Sequence, residues 1–208
     1  NEMCWDGIGK EYRWIKGICG GEISYYTSND QKNFLNPKGM YGWTWEAAAA
    51  KYHISYMLAS SAPGGKYATV ERFREAGIAS GYSFRVSNCR TNGSETRLTV
   101  SNQGIAPIYR DAYFAIGNVQ SDISLRGLLP GKGLDIVIPA ALVDADDLQI
   151  VSPYILPTQK IEFETGEFTA VDNVEVPNSS AVKQLKDGHI VIIRNNCKYT
   201  LMGQMIDK

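Results

Sequence analysis

The sequence has little of what marks a metal, nucleotide or nucleic-acid protein. It carries two histidines and four cysteines, and Cys4, Cys19, Cys89 and Cys197 form no Cys-x-x-Cys pair, so a sulfur-based zinc site has no basis. Twenty-one basic residues stand against twenty-two acidic ones, for a formal net charge of -1. No cluster of Lys or Arg is present that could track a phosphate backbone, which argues against nucleic acid as a partner. No apolar run approaches the roughly 20 residues needed to cross a bilayer, so no transmembrane segment is expected. Asn1 to Lys10 contain Asp6, Gly7 and Gly9 where a secretory leader needs an unbroken apolar core. The chain therefore reads as cytosolic or as already lacking its leader. Ser60 to Gly65 lacks the Gly-Lys-Ser/Thr ending of a phosphate loop, no Gly-x-Ser-x-Gly elbow occurs, and no cofactor is expected.

What is present is a globular composition, 44% hydrophobic and 21% charged over 208 residues, which suits one large domain or two modest ones. The four cysteines allow two disulfides in three pairings, or none. Cys4 with Cys19 is the most plausible bridge because both lie beside one short segment, and buried free thiols are the equal alternative.

The first eighty residues mix helix and strand signals and hold every tryptophan, at Trp5, Trp14, Trp43 and Trp45. Thr44 to Lys51 predicts a helix, with Thr44 as cap, Glu46 in the positive first turn and four alanines of high helix propensity. Tyr52 to Leu58 is aromatic and β-branched and predicts a short buried strand. A second helix is expected over Tyr67 to Ala76, with Val70 and Phe73 on one face and Gly77 as its left-handed end.

After Gly81 the pattern is antiparallel β. Tyr82, Phe84 and Val86 alternate with polar residues, as does Thr96 to Val100, and Asn92-Gly93 supplies the hairpin turn. Further strands are expected at Ala112–Ile116, Ile123–Arg126, Leu134–Ile138, Leu148–Ser152 and Lys160–Phe163. About seven strands at this spacing predict an immunoglobulin-like sandwich. The polar stretch Thr165 to Ser180 reads as a linker, and Leu185 to Leu201 as turn, apolar strand, Asn-Asn turn and strand in a small C-terminal β element.

Gly20-Gly21-Glu22, His53-Ile54-Ser55-Tyr56, Gly81 to Val86, Asn102 to Arg110 and Leu128-Leu129-Pro130-Gly131, in that order and spacing, resemble a bacterial family of unknown function. In that family a glycoside-hydrolase-like (β/α)8 barrel is followed by a β-sandwich. The resemblance covers Asn1 to Phe163. Lys183, Leu185, Asp187, Gly188, Ile190, Ile192, Tyr199, Gly203 and Gln204 are similar to the C-terminal module of proteins exported by type IX secretion. A whole barrel takes about 250 residues, and about eighty precede the β region here.

The resemblance therefore implies a mainly β chain with an α/β N-terminal part: an immunoglobulin-like antiparallel β-sandwich preceded by the tail of an incomplete barrel. The expected parts are residues 1–80, the end of the barrel; 81–164, the sandwich; 165–182, a linker; and 183–208, a sorting module. It implies a secreted or surface location in a Gram-negative bacterium, a glycan or glycoside as ligand, and the missing N-terminal part of the same protein as a partner. The alternative for residues 1–80 is a self-sufficient α/β layer packed on the sandwich.

Glu22 is the candidate catalytic residue, because a carboxylate after Ile18-Cys19-Gly20-Gly21 ends a short apolar strand with glycines giving close access. Glycosidases use two carboxylates about 5 to 10 Å apart, and the second would be Glu2, Asp6 or a residue outside this chain. The competing reading has Glu22 bonded to backbone or paired with Arg13. Trp43 and Trp45 are candidate sugar platforms or a staple at the helix entry, and Tyr25 and Tyr26 share that ambiguity. His53 and Tyr56 are candidate substrate contacts. On a strand they would point to opposite faces, so at most one could serve. A non-catalytic module binding a glycan or a protein through the sandwich is the rival function.

Overall fold

The computed structural model describes residues 6–7, 9–23, 27–58 and 66–166, and the backbone of four strands between 182 and 207. The chain divides into two compact units, Asn1–Ala170 and Val171–Lys208.

The first unit opens on α1 (Lys10–Lys16), β1 (Cys19–Glu22), α2 (Ser28–Asn33), α3 (Trp45–Tyr52), β2 (Ile54–Leu58) and α4 (Val70–Ile78). Thr44 and Thr69 cap α3 and α4, their hydroxyls accepting from Ala47 N and Arg72 N at 3.2 Å each. Each bond satisfies an otherwise orphaned first-turn N–H, which fixes where the helix starts. β1 and β2 pair in parallel, with Cys19 opposite Ile54 and Glu22 opposite Leu58, so α3 lies in a strand–helix–strand crossover.

Two local expectations for this part are corrected. Gly77 does not end the second helix, which continues through it to Ile78 and is capped by Ala79. His53 is not on the strand. It caps α3 in the left-handed conformation at φ 50°, and β2 starts one residue later.

Beyond Gly81 the unit is β-rich, with β3 (Phe84–Thr91), β4 (Thr96–Asn102), β5 (Tyr113–Ile116), β6 (Val119–Gln120), β7 (Gly133–Ile138), β8 (Leu148–Val151) and β9 (Glu164–Thr165). The strands form two sheets, ordered β7-β4-β3-β9 and β6-β5-β8. The hairpin of β3 and β4 closes where Asn92 Oδ1 accepts from the backbone N–H groups of Ser94 and Glu95 at 3.2 and 3.0 Å. Phe84 and Val86 of β3, Leu98 and Val100 of β4 and Ile136 of β7 share one buried cluster with Phe114 and Ile116 of β5 and Ile150 of β8. Burying each such side chain contributes about 1.5–3 kcal/mol, so this cluster is the main source of cohesion.

The β-rich part departs from the expected pattern at two points. Ile123–Arg126 is a loop whose Leu125 is buried, its N–H donating to Ala112 O at 2.8 Å. Lys160–Phe163 is irregular, and the chain pairs only at Glu164–Thr165, in parallel with β3. The sheet is therefore mixed rather than wholly antiparallel. Of Tyr82 and Phe84 it is Phe84 that enters the core, and Tyr82 stays 37% exposed and stacks on it at 5.0 Å. Cys19 and Cys89 are both buried free thiols, which removes the Cys4–Cys19 bridge.

The second unit is an antiparallel meander of β10 (Val182–Lys186), β11 (His189–Arg194), β12 (Cys197–Tyr199) and β13 (Met205–Asp207). Leu185 pairs with Ile190 and Arg194 with Cys197, and the expected Asn195-Asn196 turn lies outside the described residues. Most of the expected linker lies outside the described residues.

Candidate functional site

Glu22 is the last residue of β1 and is exposed. In parallel α/β sheets the carboxyl ends of the strands, with the loops that leave them, form the ligand-binding face. Glu22 and Leu58 stand side by side at that end. Among the described residues Glu22 makes no ion pair, with Arg13 or any other cation. Glu2 lies outside the described residues, as do Tyr25 and Tyr26. Asp6 is exposed, and its backbone carbonyl accepts from Gly9 N at 3.1 Å.

Tyr56 faces Gly20 across the pair, with its ring over the place where a β-carbon at Gly20 would stand. Only glycine allows this approach. By strand alternation Ser55 and Met57 share the other face of β2, where they line a cavity of about 160 Å³ with Ile23, Trp45, Phe73 and Ala76. Tyr56 borders both that cavity and an open groove of about 660 Å³, lined also by Ile18, Tyr82, Tyr109, Arg110 and Tyr154. Ile18, Tyr56 and Leu58 are 55%, 49% and 61% exposed. Tyr56 and Leu58 thus project into solvent from β2, as Ile18 does from the residue before β1.

His53 sits at the opposite end of β2 from Glu22, about 16 Å along the strand. There its ring stacks on Trp14, and its Nδ1 lies 2.6 Å from Ile105 O. The structure thus keeps His53 apart from Glu22 and gives it contacts that join the α/β part to the β-rich part. Tyr109 adds to the same junction by donating to Trp14 O at 2.5 Å. Burial holds the Tyr109 phenol above its ordinary pKa, so it stays a donor.

The two tryptophans before α3 have different surroundings. Trp45 turns inward, its indole N–H donating to Ala76 O at 3.0 Å and its ring lining the small cavity. Trp43 is 46% exposed, with Lys51 Nζ 4.5 Å from its ring centre. Trp43 belongs to the segment that leaves the carboxyl end of β1, as do two residues the sequence did not single out. Asp30 in α2 is buried, and Tyr41 donates to its carboxylate at 2.7 Å. The carboxylate holds the Tyr41 phenol above its usual pKa, keeping it protonated. Gly39 and Gly42 around it were a sequence signal for a turn, but not for an aromatic ring at its tip.

No group of three or more His, Cys, Asp or Glu residues is placed to hold a metal among the described residues. No helix there is long and apolar enough to cross a membrane. Comparison with protein-family models, with curated proteins and with solved structures finds no match to this chain.

Proposed function

We propose that this chain is the C-terminal region of a secreted or surface-exposed glycoside-hydrolase-like protein. In this reading β1, α3, β2 and α4 are the closing units of a (β/α)8 barrel, and the two sheets between Phe84 and Thr165 form an immunoglobulin-like sandwich that braces it. The observation that carries the reading is Glu22 at the carboxyl end of a parallel strand pair on which Tyr56 and Leu58 stand exposed, with Ile18 exposed just before it. Parallel sheets are stable only when extended and covered on both faces, and further barrel strands of the same protein would do both. Glu22 would then face the barrel mouth as the general acid or the nucleophile, with a second carboxylate from the strands that complete the barrel. The meander from Val182 to Asp207 would serve export.

The test uses the complete encoded protein with a panel of plant and microbial polysaccharides. Glu22→Gln keeps shape and loses the acid or nucleophile, so hydrolysis should fall by at least about a thousandfold with glycan affinity and melting temperature unchanged. A variant that is less stable yet normally active per folded molecule returns Glu22 to the scaffold. Deletion from Val182 onward in a type IX-secreting host should leave the protein in the periplasm, and normal surface delivery would remove the export assignment.

A second reading, a non-catalytic glycan- or protein-binding module, is favoured by the groove between Tyr56, Tyr82, Tyr109 and Tyr154. Glycan binding by a complete protein that lacks any hydrolysis would select it.

A further inference from the structure

We infer that Tyr41 is a sugar-stacking platform, held out by the loop leaving the carboxyl end of β1 to receive a pyranose ring of a glycan. The inference rests on the carbohydrate reading and adds to it the residue that contacts the ligand.

Met40 and Trp43 bridge each other through two backbone bonds, Met40 N to Trp43 O at 2.8 Å and Trp43 N to Met40 O at 3.1 Å. Tyr41 and Gly42 form the tip of this two-residue turn, with φ of 54° and 83°. A turn with positive φ at both central residues favours Asn or Gly at the first, and a bulky side chain there is strained. Packing does not offset that strain, because Tyr41 is 76% exposed. The hydroxyl's bond to Asp30 offsets strain at the backbone, but it uses only the tip of the side chain and leaves the ring faces in solvent, and strained positions cluster where a ligand is held.

The hydroxyl end of the ring is fixed as well. Asp30 Oδ1 accepts from Tyr41 Oη at 2.7 Å and from Thr27 Oγ1 at 3.0 Å, and Asp30 N donates to Thr27 Oγ1 at 3.2 Å. Asp30 itself is 6% exposed. The phenol is therefore anchored at its tip by a buried carboxylate and at its base by the turn, so its orientation is set before any ligand arrives. Trp43, two residues on, is half exposed as well, with Lys51 Nζ 4.5 Å from its ring centre. Axial C–H groups of a pyranose meet such π faces.

The experiment titrates the 208-residue chain with the β-1,4-linked hexaoses of glucose, galactose, mannose and xylose, following tryptophan fluorescence and amide chemical shifts. At least one hexaose should bind, with shifts concentrated at Tyr41 and Trp43. Tyr41→Gly should weaken that binding about tenfold or more per folded molecule, while relief of the turn and loss of the Asp30 bond act in opposite directions on the melting temperature. Tyr41→Phe keeps the ring, loses its Asp30 anchor and should fall between. Unchanged affinity in Tyr41→Gly overturns the platform and leaves the carbohydrate reading standing. A lower melting temperature, with affinity falling only in step with the folded fraction, assigns Tyr41 to the scaffold. Binding of none of the four hexaoses by the native chain overturns the platform, and the hydrolysis test on the complete encoded protein decides the carbohydrate reading separately.

Discussion

The imidazole of His53 lies flat on the indole of Trp14, with ring centres 3.7 Å apart and planes 12° from parallel. The same histidine ends α3 at positive φ and contacts Ile105 O through Nδ1, and a carbonyl can only accept, so Nδ1 carries the proton. One residue thus closes α3 immediately before β2 and ties both to the β-rich part. His53→Ala should lower stability by about 1–3 kcal/mol, the stack and the hydrogen bond each contributing about 0.5–1.5 kcal/mol. His53→Asn tolerates the left-handed backbone and should cost less than the alanine. Urea unfolding of the three proteins checks the order, and an alanine variant as stable as the native chain would deny His53 this role.

Asn102 is fully buried and uses all four of its amide positions. Its Nδ2 donates to Ala106 O and Leu128 O at 2.9 and 2.8 Å, while Oδ1 accepts from Ser83 N and Gly104 N at 3.1 and 2.9 Å. Asn102→Asp keeps the size but cannot make both donations and buries a charge. It should cost about 3 kcal/mol or more at pH 7, with calorimetry as the measurement. A loss below about 1 kcal/mol would mean that water or a shifted loop replaces the amide.

The β-rich part was legible wherever burial alternates with period two. Phe84, Val86, Leu98, Val100, Phe114, Ile116 and Ile136 are all in the core, as the alternation implies. Ile123–Arg126 misled because a buried Leu125 needs no ladder: its loop satisfies its own backbone. Glu164–Thr165 carries no apolar alternation and pairs with β3 at an edge, where side chains do not decide the register. At the candidate site the position of Glu22 after two glycines was legible. Tyr41 was not, since positive φ at a tyrosine contradicts its propensity and is visible only in the folded backbone.

Arg72 gathers three elements, with its guanidinium 2.6 Å from Glu46 and 3.2 Å from Glu75 and its Nε donating to Leu35 O at 3.1 Å. The hydrogen bond from Arg72 is the largest cause that holds the Glu46 carboxyl below its usual pKa. A carboxylate with a depressed folded pKa stabilises above its unfolded value, about 4.3, and that contribution disappears as pH falls through the lower folded value. Glu46 is 44% exposed, so solvent screening limits the effect to at most about 1 kcal/mol. Glu46→Gln should be less stable than the native chain at pH 7 and equal to it once both are acidified past that value. A difference that stays constant with pH would place the effect in packing.

Leu98 is 2% exposed in β4 between the core residues of β3 and β7. Leu98→Ala should cost about 2–5 kcal/mol, as for a buried leucine whose cavity cannot collapse. A change under about half a kilocalorie in denaturant unfolding would take Leu98 out of the core.

Burial raises the thiol pKa of both Cys19 and Cys89, although Arg13 partly offsets the effect at Cys19. The thiolate is the reactive form, so neither residue should be alkylated by iodoacetamide at pH 8 while the chain is folded, and both should react fully without reductant once it is denatured. The two should also differ in when they open. Cys89 lies in β3, flanked by β4 and β9 and packed in the main core, so it is exposed only by global unfolding. Cys19 begins β1 in a two-stranded layer and becomes accessible by local opening of that layer. Peptide-resolved mass spectrometry in increasing urea should therefore detect label at Cys19 before Cys89. Simultaneous labelling would make the α/β layer and the β core one cooperative unit, and a Cys19 that resists alkylation in the denatured, unreduced chain would restore the disulfide.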